Sequence, residues 1–410
     1  LRGRGRGAHR RCRPRGVGLY YVEETATPAG YVGAQPFLVA LPLTDPSASD
    51  ARLDTVHVYP KNARVSIALD VIDERAVKAG DAVAWLARAD IPRATGRGGA
   101  AVDGYRIVQR LDPQLELLGT GGASGAQGAF EVRLSCAGGS GCPTLDPGIH
   151  WTVDLDPAGR TAAIDFTPAG LWLLERAADS DGDAAVEVGY RTRVLGEGEL
   201  VNEASLFASR AIIADGAGSA VSDTAITKFG PLGILVHERG KPQNLIPGAG
   251  FKLYLSAEDA AAGRNAVEVD GVDEWTTDAD GRITIHGLRL SDFVNGLDRE
   301  ESDPLYRYYY VILTRIPPGY IGEQKPLAVV VTSTVEPRIA LVELRRGGGG
   351  ADPDAGANGG SDSGADGTPR DGLTVTGGQI AGAAMLGAML LVGGAAVLLR
   401  RRGERESPAP

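Results

Sequence analysis

Thr276-Thr277-Asp278-Ala279-Asp280-Gly281-Arg282-Ile283-Thr284-Ile285-His286-Gly287-Leu288 holds a turn followed by a strand. Asp and Gly in the run Asp278-Ala279-Asp280-Gly281 are turn formers, Asp through side-chain bonds to nearby backbone and Gly through its freedom to take positive φ. Ile283 and Ile285 then alternate with Arg282, Thr284 and His286, which places both isoleucines on one face of a strand. The same alternation recurs in Val65-Ser66-Ile67-Ala68-Leu69, in Val186-Glu187-Val188-Gly189-Tyr190-Arg191 and over 327–332. Asp156-Pro157-Ala158-Gly159 is a second turn of the same kind. Short strands, frequent turns and few helical periods predict an all-β chain of tandem immunoglobulin-like β-sandwiches. The segment 82–89 fits either a strand or a helix.

At 410 residues the chain allows two to four domains. Its net charge of −10 argues against nucleic acid as a partner. Charged residues at 23% and hydrophobic ones at 43% are ordinary for folded domains. Five scattered histidines (His9, His57, His150, His237, His286) have no nucleophile in sequence reach, so no hydrolase constellation is legible. Asp179-Ser180-Asp181-Gly182-Asp183 begins like a calcium loop, but its Gly falls early and the closing Glu is absent; a solvated turn is expected. No enzyme activity, metal site or cofactor is predicted. Cys136 and Cys142 flank a glycine-rich loop that suits a disulfide outside the cell, with free thiols the alternative. Cys12 is left over. Only six of the 42 basic residues are lysines: Lys61, Lys78, Lys228, Lys241, Lys252 and Lys325.

The two ends differ from the middle. The first fifteen residues hold seven arginines, and no apolar stretch follows them as a secretion signal requires. Residues 1–16 are therefore expected to be a non-native or disordered segment, with the true start upstream. Over 346–372 the composition collapses to Gly, Asp, Ala and Ser, a disordered linker. Residues 378–399 are 22 apolar or uncharged residues. As a helix they reach roughly 33 Å, enough for one transmembrane span. Arg400, Arg401 and Arg402 would keep the tail, 400–410, in the cytoplasm.

Leu373-Thr374-Val375-Thr376-Gly377 stands directly before the apolar run. Pentapeptide, span and basic tail together resemble the LPXTG sorting signal of Gram-positive surface proteins. Leu373, Thr376 and Gly377 match, and Thr374 stands where Pro is usual. Val56-His57-Val58-Tyr59-Pro60-Lys61-Asn62 resembles the pilin motif of sortase-assembled subunits. The block from Leu19 to Tyr31 resembles their E-box, with Glu24 in the Glu place. The chain thus resembles the type-2 fimbrial major subunits of high-GC Gram-positive bacteria, backbone pilins with Cna-B-type domains. Lys78-Ala79-Gly80-Asp81-Ala82-Val83-Ala84-Trp85 resembles a motif of their middle domain. The opening turn and strand resemble a Cna-B-type hairpin.

That resemblance implies an organisation and a mechanism. Residues 17–62 would be the remnant of an N-terminal pilin domain, 63–228 a middle sandwich and 229–345 a C-terminal Cna-B-type sandwich. A sortase would cut at Thr376 and hold it as a thioester. The Lys61 amine of the next subunit would then displace the enzyme, leaving an isopeptide bond. An ordinary lysine is charged at neutral pH, so the enzyme must remove a proton first. Pro60 has no backbone donor and favours a strand end, which keeps Lys61 accessible. The implied partners are pilin-specific and housekeeping sortases, identical subunits, peptidoglycan and, before processing, the membrane through 378–399. The implied location is the cell surface, covalently attached to the wall. The adhesion receptor is not legible. A monomeric wall-anchored adhesin and a truncated, nonfunctional relic stay open.

Sandwiches of this family usually carry an internal Lys–Asn isopeptide bond beside a buried acid. Here Leu69 takes the middle domain's lysine place and Gln109 the acid place, leaving Asn202. In the third domain the places fall on His237 and Leu313. No internal isopeptide bond is expected in either. Leu69 and Leu313 should repack as apolar core, each contributing about 2 kcal/mol. Glu24 is expected to be a structural carboxylate bonded to backbone amides.

Overall fold

The computed structural model describes residues 17–24, 27–45, 48–53, 61–93, 102–121, 125–137, 142–216 and 220–347. All the described residues belong to one compact unit. Residues 1–16, most of the linker, the pentapeptide 373–377, the apolar run 378–399 and the tail 400–410 lie outside the described residues. Among the described residues no helix is long and apolar enough to cross a membrane.

The described part is built on β-sheets, and its opening stretch folds as read. Trp275–Thr276 and Arg282–Arg289 are strands joined by the turn at 278–281. The Asp278 carboxylate closes that turn by accepting the N–H groups of Asp280 at 2.9 Å and Arg282 at 2.8 Å. Gly281 has φ 65, and a Cβ there would stand 2.7 Å from the Val236 carbonyl oxygen, so only glycine fits. Ile283 and Ile285 are buried while Arg282, Thr284 and His286 face out.

Two sheets enclose the first core. One orders Leu115–Leu117, Ala185–Val194, Ala82–Asp90 and Ile67–Ile72, with Phe130–Ser135 also paired to Ala185–Val194. The ambiguous segment 82–89 is a strand: Val83, Trp85, Ala87 and Ala89 bury in alternation, and strands pair on both sides of it. The second sheet runs Trp151–Leu155, Thr161–Phe166, Arg106–Arg110, Gly198–Phe207 and a long strand, Val221–Glu238. Trp85, Tyr105, Ile107, Ile164 and Leu200 belong to one continuous apolar cluster. Its buried polar tips are satisfied: the Trp85 indole donates to Thr192 Oγ1 at 2.8 Å and the Tyr105 hydroxyl to the Asp90 carbonyl at 3.0 Å.

The helix Pro168–Ser180 was hidden by the strand-like surroundings. Its start signal is Thr167, whose hydroxyl accepts the Gly170 N–H at 3.2 Å, followed by Pro168 in the first turn. Leu174, Ala177 and Ala178 bury its inner face. The expected solvated turn at 179–183 follows directly on this helix: Asp179 and Ser180 end it, and the exposed residues Gly182 and Asp183 form the turn. Asp181 caps the helix, and its carboxylate accepts N–H groups from Ala137 at 2.5 Å and Asp183 at 3.0 Å. Those backbone bonds hold the Asp181 carboxyl below the usual carboxylate range.

The long strand takes two sets of partners within one nine-stranded sheet. Residues up to Phe229 pair with Gly198–Phe207. From Phe229 it pairs antiparallel with Arg282–Arg289, through an irregularity between Gly230 and Leu232, and from Leu232 it also pairs parallel with Arg338–Arg346. Pro231, which lacks a ladder donor, sits in that irregularity, where its missing N–H does least harm. A Cβ on Gly230 would stand 1.9 Å from the Ser333 carbonyl oxygen. Beyond it, Leu232, Ile234 and Val236 are buried in step. A four-stranded sheet of Trp275–Thr276, Gly250–Tyr254, Tyr309–Arg315 and Leu327–Val329 contributes Phe251, Leu253, Val311 and Leu313 to the buried set.

Hydrogen bonds join the regions on either side of this irregularity. The Asp73 carboxylate accepts the Asn295 N–H at 2.7 Å and the Thr227 hydroxyl, while the Asp73 N–H donates to Asn295 Oδ1 at 2.9 Å. Arg289, 1% exposed, donates to the carbonyls of Ala76 at 3.1 Å and Phe293 at 2.8 Å. Burial, with Arg307 nearby, lowers its pKa below that of an ordinary arginine. Glu197 accepts the Gly287 N–H at 3.0 Å and lies 3.0 Å from His286 Nδ1.

Candidate functional site

The site is built outward from a short strand pair. Tyr31–Val32 pairs antiparallel with Ala63–Arg64, and the Val65 N–H donates to the Gly30 carbonyl at 2.9 Å. Val32 and Val65 are both buried in the first core, so this pair is anchored to the main body. Immediately before it, Asn62 is held at both ends of its amide. Its Oδ1 accepts the Ala34 N–H at 3.3 Å, and its Nδ2 donates to Glu24 Oε1 at 2.9 Å. Glu24 therefore meets a side-chain amide rather than the backbone amides expected of it. The sequence hides this contact because 38 positions separate the two residues.

Lys61 is the first residue beyond that anchor, and it is exposed. All six lysines are described, and five of them are tied to carboxylates. Lys78 lies 3.6 Å from Asp81, Lys228 2.8 Å from Glu199, and Lys241 2.8 Å from Glu238. Lys252 lies 2.7 Å from Asp273, and Lys325 2.9 Å from Glu323. The Asp273 hydrogen bond raises the Lys252 pKa, which holds that amine in its charged form. Lys61 makes no hydrogen bond or ion pair with a described residue. Its motif neighbours Val58, Tyr59 and Pro60 lie outside the described residues, as do Leu373, Thr376 and Gly377. An exposed, unpaired amine on anchored backbone is suited to nucleophilic attack on a large, external electrophile.

No lysine is among the buried residues of either core. Leu69 and Leu313 are buried apolar residues. The Asn202 amide is engaged: it accepts the Asp112 N–H at 2.9 Å and donates to the Tyr190 hydroxyl at 3.2 Å. Gln109, on the neighbouring strand, is fully buried with both amide atoms unpartnered among the described residues. His237 is also buried; its Nδ1 lies 3.1 Å from the Glu238 carbonyl oxygen and its Nε2 3.9 Å from Glu343. Val236 holds the inward position beside it. Cys136 and Cys142 form a disulfide with Cα atoms 6.0 Å apart.

A family model described as Gram-positive pilin subunit D1, N-terminal domain, matches residues 14–63 and so includes both Glu24 and Lys61. Fimbrial subunit type 1 of Actinomyces viscosus is 26% identical over 358 residues, covering 80% of this chain and 65% of that protein. Fimbrial subunit type 2 of Actinomyces naeslundii is 27% identical over 353 residues, covering 80% and 61%. The full-length major pilin SpaD of Corynebacterium diphtheriae superposes with a TM-score of 0.57 at 24% identity, covering 81% of this chain and 77% of that one. The major pilin SpaA of the same organism gives 0.58 at 20% identity, covering 81% of each. This chain is related to fimbrial subunits and has the major-pilin fold. It spans slightly under two thirds of the length of those curated relatives. They are fimbrial subunits rather than enzymes.

Proposed function

We propose that this chain is the backbone subunit of a Gram-positive pilus, joined to its neighbours by isopeptide bonds between Lys61 and Thr376 of the adjoining copy. The observation that carries the reading is the lysine census: five amines are engaged with carboxylates and Lys61 alone is exposed without a described partner. The matched pilin model over 14–63 and the pentapeptide at 373–377 support it.

In this reading a pilin-specific sortase attacks the Thr376 carbonyl through a cysteine thiolate. The Thr376–Gly377 C–N bond breaks, a thioester forms, and the Gly377 segment leaves as an amine. The neutral Lys61 Nζ then attacks the thioester carbonyl. A new C–N bond forms, the C–S bond breaks, and the thiolate leaves while the amine loses its proton. One amide is exchanged for another, so no outside energy source is needed. Residues 378–399 hold the precursor in the membrane until this exchange, and a housekeeping sortase transfers the finished fibre to peptidoglycan. The units of the fibre are a pilin segment over 17–62 and sandwiches over 63–228 and 229–345. The fibre supports adhesion at the cell surface.

Tryptic digestion of detergent-resistant fibres tests the linkage. A branched peptide joining Lys61 to a chain ending at Thr376 is expected. Branched peptides through any other lysine, with Lys61 recovered unmodified, would overturn the proposal.

A further inference from the structure

The contact between Glu24 and Asn62 has a geometry that a solvated surface pair does not need. Asn62 is gripped from two separate segments, by the Glu24 carboxylate on one side and the Ala34 backbone on the other. Glu24 Oε2 is shielded from solvent with no partner among the described residues. A Cβ on Gly33 would lie 3.4 Å from that oxygen and 3.0 Å from the Thr27 side chain, so this part of the chain is packed around the carboxylate. Burying a carboxylate oxygen without a bond is unfavourable, and among the described residues the Asn62 amide supplies the hydrogen bond to Glu24 that offsets it.

We propose that Glu24 is a positioning residue for Lys61: through Asn62 it fixes the backbone from which the lysine projects, so that the amine is presented in one direction. This rests on the reading of Lys61 as the acceptor amine. From Ala63 onward the backbone is already fixed by strand pairing with Tyr31–Val32. Without the Glu24 contact, Asn62 keeps only the longer bond from the Ala34 N–H at 3.3 Å, and its side chain can swing between that pair and Lys61. Attack on an enzyme-bound thioester requires alignment, and a small displacement of the amine slows it steeply. The amide of a glutamine at position 24 still offers an oxygen acceptor to Asn62, whereas an alanine offers none.

The test uses the full chain carrying Thr376→Ala, so that it acts only as acceptor, with an LPXTG peptide as donor and the pilin sortase. In this background kcat/KM for the acceptor should fall about tenfold in Glu24→Ala and in Asn62→Ala, and stay near the parent in Glu24→Gln. Hydrogen exchange at the Val65 amide should remain as slow as in the parent, showing that the strand pair persists. Unchanged rates in both alanine variants would overturn the proposal. So would a loss of rate accompanied by loss of Val65 protection, which would mark a fold-maintaining role. A parent that forms no product, or a Lys61→Ala variant that forms it equally well, would instead remove the Lys61 reading on which the proposal stands.

Discussion

Glu187 shows how one side chain ties two strands together and makes stability depend on pH. It sits on Ala185–Val194 and receives Arg88 at 2.9 Å from one neighbouring strand and Arg133 at 2.8 Å from the other. Burial alone would raise its pKa, but the two guanidinium groups outweigh burial and the net shift is downward. A carboxylate depressed in the folded state stabilises the fold above its unfolded pKa, and that contribution is lost as pH falls through the folded value. Glu187→Gln should therefore cost about 1 kcal/mol at neutral pH. The difference should close below about pH 4, read from thermal midpoints across the range. A cost that stayed constant into acid would mean that packing, not charge, is what Glu187 supplies. At this scale much was legible. Lys61 stands out because its motif is contiguous, and Asp278 because an Asp–Gly turn is local. Glu24 was legible as a residue but not by its partner, since a contact between loops leaves no local trace. The turn at 182–183 was legible from its Asp and Gly residues, whereas the helix that Asp181 caps was not read from its start signal at Thr167 and Pro168.

Strands were the elements most readable from periodicity, and the long strand Val221–Glu238 shows where that reading stops. Its alternation breaks at Gly230-Pro231, which resembles a strand end in sequence. In the fold the strand continues through that irregularity from one set of partners to the next, because Gly230 admits the Ser333 backbone and Pro231 occupies the irregularity. The contacts around the crossing were also hidden, since Arg289 reaches the Ala76 carbonyl across 213 positions. Arg289→Ala would remove the donor to the Phe293 carbonyl, while Arg307 still donates to the Ala76 carbonyl at 2.7 Å, and should cost about 2 kcal/mol of unfolding free energy in chemical denaturation. A loss within about 0.5 kcal/mol would show that water replaces the guanidinium freely.

In the assembled fibre each subunit would be held at Lys61 and at Thr376, so tension would pass through the residues between them. Both apolar cores lie on that path, and the long strand pairs with Gly198–Phe207 in its first half and with Arg338–Arg346 in its second. Neither core contains a lysine, so each would bear load by hydrogen bonding and packing rather than by an internal amide. The all-β architecture was legible because short alternating strands and turns repeat along most of the chain, while the relation of one sheet to the next was set by long-range contacts.

The most direct measurement is an immunoblot of boiled, detergent-treated wall extracts from the parent strain and from Lys61→Ala. A ladder of high-mass species in the parent that collapses to monomer in the variant is the predicted result. A ladder unchanged by Lys61→Ala, or a monomer band in both strains, would contradict covalent polymerisation through Lys61.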